Sequence, residues 1–274
     1  MRSKHRPIVA IRGQESTLRQ DELAVEEPLE IRVETRPVSI TMRTPGNDAE
    51  LAAGFLATEG VLRRSDEILE IRVYGRNPQG NAVDVFLAEG LRVDFARLSR
   101  HVFASSSCGL CGKASIEAVH QQFKPIKRRV ATTVAILRSI AAQLGVTQET
   151  FAKTGGLHAA AIFTVRGSLV VAREDVGRHN AVDKVIGFGL LNKLLPFDRH
   201  ILLVSGRASF EIVQKALAAR IPIVAAVSAP SSLAVEFAQA SGQVLVGFLR
   251  EERMNIYAGA DRIKVASTRR KRRA

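Results

Sequence analysis

At 274 residues and 29.8 kDa, with 46% hydrophobic and 24% charged residues, the chain can bury a sizeable core without staples and is neither a disordered nor a fibrous polymer. Lys and Arg total 40 against 27 Asp and Glu; the net charge of +13 favours polyanionic partners, but 5% aromatics and no Trp supply no stacking platform, so nucleic acid is not expected. The best apolar run, Ile221 to Ala229, carries Pro222 and is far shorter than the ~18–20 residues of a membrane span, and the basic Met1–Arg12 leads into no apolar signal core; a cytoplasmic chain without membrane contact is expected.

Residues 1 to about 26 show no clean periodicity and are expected to be flexible or exchanged with a neighbouring strand. From Leu29 to Met42 apolar and polar residues alternate, which predicts a hairpin turning at Arg36-Pro37. Asn47 with Glu50 predicts a capped helix running to Glu59 and stopped by Gly60. Strands follow over Ile68–Tyr74 and Ala82–Leu87, then helices over Phe95–His101, Ser115–Phe123, Val134–Leu144 and Gln148–Lys153. The second half reads as a hairpin, Ala159–Val165 with Leu169–Arg173, and then a helix over Asn180–Leu194. After it come strand Ile201–Val204, helix Phe210–Ala219, strand Ile223–Ala226, helix Leu233–Ala240 and strand Val244–Phe248. That alternation predicts parallel strands with right-handed crossovers. The simplest organisation is one α/β domain over 27–266 with a small N-terminal β-rich extension, followed by a basic, disordered tail at 267–274.

In an open α/β sheet, ligands collect where strands end and helices begin. Ser205-Gly206-Arg207 follows one predicted strand, and Ser228-Ala229-Pro230-Ser231-Ser232 follows the next. Small residues allow close backbone approach, and Arg207 adds a charge for an anion. Neither loop is a P-loop or a Gly-x-Gly-x-x-Gly fingerprint, so a nucleoside triphosphate or NAD is not indicated. Thr154-Gly155-Gly156-Leu157-His158 and the segment from Glu174 to Lys184 are unusually polar for their positions. Within the latter, His179 and Asp183 are four apart, which suits an oriented imidazole–carboxylate pair on one helix face.

Cys108 and Cys111 are the only cysteines, set among Ser105, Ser106, Ser107, Gly109 and Gly112. A Cys-x-x-Cys among small residues points to redox, metal-binding or nucleophilic chemistry on a loop. His158 or His179 can add a third zinc ligand, yet the His-x-Glu and Pro-Cys-x-x-Cys signature of zinc deaminases is absent. The pair also follows no strand in the way a thioredoxin motif does. A metal-binding or dithiol redox module therefore stands as the alternative to thiolate group transfer.

Several blocks, in order across residues 27 to 264, together resemble the formate dehydrogenase accessory sulfurtransferase family. They are Ser106–Gly112, Thr154–Ala160, Glu174–Lys184, Ser205–Glu211, Ser228–Ser232, and Phe248-Leu249-Arg250 leading to Arg253–Tyr257. The resemblance implies a cytidine-deaminase-like three-layer core with a mixed, partly parallel sheet. It implies a cytoplasmic, homodimeric sulfur carrier that takes persulfide sulfur from a cysteine desulfurase. The sulfur would pass to the molybdenum bis(molybdopterin guanine dinucleotide) cofactor, a bound substrate required for formate dehydrogenase activity, with no permanent cofactor and no resident metal. The family's persulfide cysteine falls on Cys108, with Cys111 as its companion. Its cofactor-binding segment falls on Phe248, Leu249, Arg250, Glu251, Glu252 and Arg253, near Ser205, Gly206 and Arg207. The Lys/Arg-rich tail departs from the family pattern.

Overall fold

The computed structural model describes residues 1–75, 81–95, 98 and 112–265. Most of the helix expected over Phe95–His101, the Cys108–Cys111 loop and the basic tail lie outside the described residues.

The N-terminal expectation is corrected at the level of regular structure. β1 (Ser3–Arg12) and β2 (Glu15–Ala24) form an antiparallel ribbon that turns at Gly13, where φ is 60°. Both faces are largely exposed, so no apolar alternation was imprinted on the sequence. β3 (Glu27–Val33) and β4 (Arg36–Arg43) make the expected hairpin, but its turn is Glu34-Thr35, ahead of Arg36-Pro37. Both turn residues have positive φ, 49° and 64°, which costs a side chain-bearing residue free energy. Side-chain bonds offset that cost: Thr35 N–H donates to Asp84 (3.1 Å), and the Glu34 carboxylate accepts from Leu87 N–H (2.7 Å).

α1 (Asp48–Thr58) follows Asn47 and ends before Gly60, as its sequence predicts. Asn47 does not cap it, however, because its side chain accepts from Arg2 instead (2.8 Å). β5 (Ile68–Tyr74) and β6 (Ala82–Leu87) complete a four-stranded sheet in the order β4-β3-β6-β5. Next come α2 (Gly112–Gln122), the short β7 (Thr132–Thr133), α3 (Val134–Thr147) and α4 (Glu149–Thr154). Thr133 caps α3 by accepting from Ile136 N–H (3.1 Å).

The second half alternates as predicted: β8 (His158–Thr164), β9 (Leu169–Asp175), α5 (Arg178–Leu191), β10 (His200–Val204), α6 (Phe210–Ala218), β11 (Ile223–Ala226), α7 (Ser232–Ala240) and β12 (Val244–Gly247). An additional edge strand, β13 (Asn255–Ala258), follows, and β14 (Ile263–Lys264) pairs with β7. The six-stranded sheet runs β13-β12-β11-β10-β8-β9; β10, β11 and β12 are mutually parallel, while β8 and β13 run against their neighbours.

Successive residues of these strands bury into opposite layers. Ile162, Leu202, Val224 and Leu245 face a layer built by α1, α5, α6 and α7, in one cluster with Leu29, Ile31 and Val83 of the smaller sheet. Phe163, Leu203, Ala225 and Val246 face the other way, under Leu137, Ile140 and Leu144 of α3. Burying each such large aliphatic or aromatic side chain contributes roughly 1.5–3 kcal/mol. The result is the mixed, three-layer α/β core expected. Among the described residues no helix is long and apolar enough to cross a membrane.

Candidate functional site

The strand directions place several polar segments on one edge. β9, β10, β11 and β12 end there, at Asp175, Val204, Ala226 and Gly247, while β8 begins there at His158 and β13 at Asn255. The loops Gly155–His158, Val176–His179, Ser205–Ser209, Val227–Ser231 and Phe248–Met254 therefore share this edge. Helices α5, α6 and α7 each start from it and present their N-terminal N–H groups to it.

The loops are held by backbone pairing that extends the sheet. Ala159 N–H donates to Ser205 Oγ and Ser205 N–H donates to the Ala159 carbonyl, both at 2.9 Å. Val227 N–H donates to Val204 O (3.0 Å), Ala208 N–H to Ala229 O (3.2 Å) and Ser231 N–H to Ala208 O (3.1 Å). Gly247 is a forced glycine, since a Cβ there would press on Pro230 and Tyr257. Phe248 then adopts a positive φ of 51°, which bends the chain out of β12.

A cavity of about 500 Å³ opens on this edge, lined by Phe151, Gly155, Gly156, His158, Ser205 and Arg250 among others. The Glu174 carboxylate positions Phe151 by accepting from Thr150 N–H (3.0 Å) and Phe151 N–H (2.8 Å), which caps α4. α4 closes on Gly155 at φ 65°, a conformation that favours glycine. Of the expected site residues, Ser205 and Arg250 line the cavity, and Arg207 lies exposed on the same edge. Gly206 is buried; the space a side chain would take there is filled by the His158 ring (3.4 Å) and the Arg178 stem (3.6 Å). Its backbone is thus approached by the protein's own side chains. Leu249, 1% exposed, sits in the core cluster beneath α3 and anchors the loop. Glu251, Glu252 and Arg253 are exposed in a turn closed by Arg250 N–H donating to Arg253 O (2.8 Å). Cys108 and Cys111 lie outside the described residues.

The edge is cationic. Arg178, Arg207 and Arg250 stand on it, and the Arg178 Nε is buried without a hydrogen-bond partner among the described residues. Burial, and then the neighbouring Arg178, His179 and Arg207, push the His158 pKa down, which keeps its ring neutral. The buried carboxylates of the edge are spoken for, while Glu251 and Glu252 stand exposed on the Phe248–Met254 loop. Asp175 is fully buried and paired with the equally buried Lys184 (2.6 Å). It also accepts from Gly177 N–H (2.8 Å), Asn180 Nδ2 (3.0 Å) and Thr44 N–H (3.2 Å). Lys184 donates onward to Thr44 O (2.9 Å). These polar groups of the Glu174–Lys184 segment tie α5 to the chain just after β4, leaving Arg178 and His179 at the surface.

The expected His179–Asp183 pair is corrected. Asp183 turns inward to Lys215 Nζ and Thr58 Oγ1, both at 2.9 Å, while His179 Nε2 meets Glu211 at 2.8 Å. Helical spacing placed both on one face, but α1 and α6 supply closer partners. Phe151, Gln148 and Val227 also line the cavity, and the sequence carries no chemical signal for them: Phe151 and Val227 are apolar, and Gln148 reads only as a helix start.

Comparison with known proteins identifies the family of the chain that carries this edge. Residues 24–264 match the model of the FdhD/NarQ family. The chain belongs to that family. It is 52% identical over 270 residues to the sulfur carrier protein FdhD of Streptomyces coelicolor, covering 95% of each chain. It is 49% identical over 269 residues to the protein of the same name from Mycobacterium tuberculosis, covering 94% of this chain and 98% of that one. The fold is similar to the crystal structure of a proposed formate dehydrogenase accessory protein from Desulfotalea psychrophila, with a TM-score of 0.77 and 28% identity over 96% of this chain and 99% of that one. Family membership covers the whole α/β domain, including the edge just described.

Proposed function

We propose that this protein is a cytoplasmic, homodimeric sulfur carrier for formate dehydrogenase maturation. In this reading Cys108 accepts sulfur from a cysteine desulfurase and delivers it to the molybdenum bis(molybdopterin guanine dinucleotide) cofactor, which binds as substrate. The relatives named sulfur carrier protein support the carrier role. The observation that carries the cofactor half is the edge itself: a cavity of about 500 Å³ reached by Arg250, flanked by Arg178 and Arg207, without a free carboxylate deep within it. A diphosphate needs such a place, where helix N-termini and guanidinium groups converge.

The chemistry is thiol–persulfide exchange. The Cys108 thiolate attacks the terminal sulfur of the donor persulfide, the donor S–S bond breaks, and the donor cysteine departs with the electron pair as thiolate. An electron-rich acceptor centre then takes the terminal sulfur from Cys108, whose sulfur leaves as thiolate in turn. Each step transfers one neutral sulfur atom and needs no outside oxidant. Cys111, three residues on, supports the Cys108 thiolate.

GDP serves as the probe for the dinucleotide half. Calorimetric titration is expected to show binding that Arg250→Ala weakens at least about ten-fold through loss of a charge-assisted contact. Unchanged affinity in that variant would move the nucleotide site away from this edge.

A further inference from the structure

The opposite edge of the sheet carries a second concavity. α1 and α5 end there, and so does α6 before the chain enters β11. A cavity of about 290 Å³ lies between them, with Leu62, Phe123 and Leu195 in its floor and Arg63, Lys124 and Arg220 at its rim. Among the described residues no carboxylate lines it. The other surface arginines nearby are neutralised: Arg64 pairs with Asp66, Arg128 with Asp198 and Arg129 with Asp261. Arg63 and Lys124 are exposed, and neither side chain makes an ion pair or hydrogen bond among the described residues. Among the described residues Arg220 donates only to the carbonyls of Lys124 and Pro125, so its charge has no carboxylate partner there either.

From this we infer a docking site for an acidic segment of a partner protein that carries an adjacent pair of large apolar side chains. The apolar floor takes the pair, and the three rim cations require carboxylates on either side of it. Because this site and the cationic cavity lie at opposite ends of the strands, a partner can dock without displacing the bound dinucleotide. The inference rests on the rim and floor alone and stands whether or not GDP binds at the far edge.

The probe is a fluorescein-labelled peptide with a Leu-Phe pair flanked by two glutamates on each side, titrated by fluorescence anisotropy into the full chain. Binding is expected. The double variant Arg63→Glu/Lys124→Glu, altering exposed side chains that leave the core intact, is expected to weaken it at least about ten-fold. Ala218→Phe, which fills the cavity and leaves every charge in place, is expected to do the same. Replacing Leu-Phe by Ala-Ala in the peptide is expected to abolish binding. Equal binding of the Ala-Ala peptide would overturn the inference, since it would reveal only attraction to a basic surface. Undiminished binding in the double charge variant would overturn it too, and so would capture of phosphatidylserine vesicles in the absence of any peptide binding.

Discussion

Asp175 shows how one side chain can organise a site it does not enter. Its two oxygens hold Gly177 N–H, Asn180, Thr44 N–H and Lys184, so the loop bearing Arg178 and His179 is fixed against the chain after β4. Asp175→Ala would leave Lys184 buried and unpaired, at a cost of about 3–5 kcal/mol. A fall in thermal midpoint of roughly ten degrees is expected, and Asp175→Leu combined with Lys184→Met should recover only part of it, because Thr44 N–H, Gly177 N–H and Asn180 lose their acceptor in both variants. A single variant as stable as the parent would contradict this account of the pair. His158 makes a different prediction. Burial and the nearby arginines hold it neutral, whereas a bound polyanion would favour its protonated form. GDP binding should therefore take up a proton and tighten as pH falls from about 8 to about 6, a dependence that His158→Gln flattens. Affinity that is equally pH-dependent in the variant would assign the proton elsewhere.

Among the elements, α1 and α5 are joined most closely. A Cβ on Gly54 would collide with the Asp183 carbonyl, and one on Gly187 with the Glu50 carbonyl, so the two helix backbones touch through paired glycines. Gly54→Ala must push the helices apart and is expected to cost at least about 2–3 kcal/mol, read as a lowered urea midpoint. Gly145 on α3 is exposed, with nothing near its missing side chain, and Gly145→Ala should add roughly 0.5–1 kcal/mol by helix propensity. Equal effects of the two substitutions would refute the contact argument. This joint was not legible in the sequence, because two isolated glycines within helical patterns give no sign of facing each other. Elements with a buried face were legible: β6 and β11 have the expected bounds, and the parallel β10-β11-β12 unit follows its Val/Ile/Leu runs; β5, though mostly exposed, was legible from its Ile, Val and Tyr content. The β1–β2 ribbon, exposed on both faces, and β13, four residues after a charged turn, carry no such imprint. The same division holds for the site. Ser205 is legible from its strand-end position and Arg250 through the family resemblance, whereas Phe151 and the Glu174 cap depend on contacts between distant segments.

For the molecule as a whole, charge and protonation decide where it works. Burial lowers the pKa of His120, His158 and His200, so the unfolded chain binds protons that the fold resists. Stability is then present above the ordinary histidine value of about 6.5 and declines as pH falls through and below it. Urea midpoints should drop between about pH 7 and about pH 5 with an unchanged slope; a flat profile would contradict neutral burial. The net charge of +13 includes the run Arg269–Arg273, far in sequence from Arg207 and Arg250. On the proposed reading, in which Arg250 and its neighbours on the edge contact the nucleotide, removing residues 269–273 should leave GDP affinity within a few-fold of the intact chain. Binding abolished by that truncation but indifferent to Arg250→Ala would place the site in the tail.

The central claim is that sulfur travels on Cys108, and intact-mass spectrometry after incubation with a cysteine desulfurase and cysteine tests it most directly. The account predicts an adduct of one sulfur atom, removed by a thiol reductant, in the parent chain and in part in Cys111→Ala. Cys108→Ala should remain folded and bind GDP, yet gain no adduct and leave formate dehydrogenase inactive. A folded Cys108→Ala chain that accumulates the sulfur on Cys111 and fully activates the enzyme would contradict it.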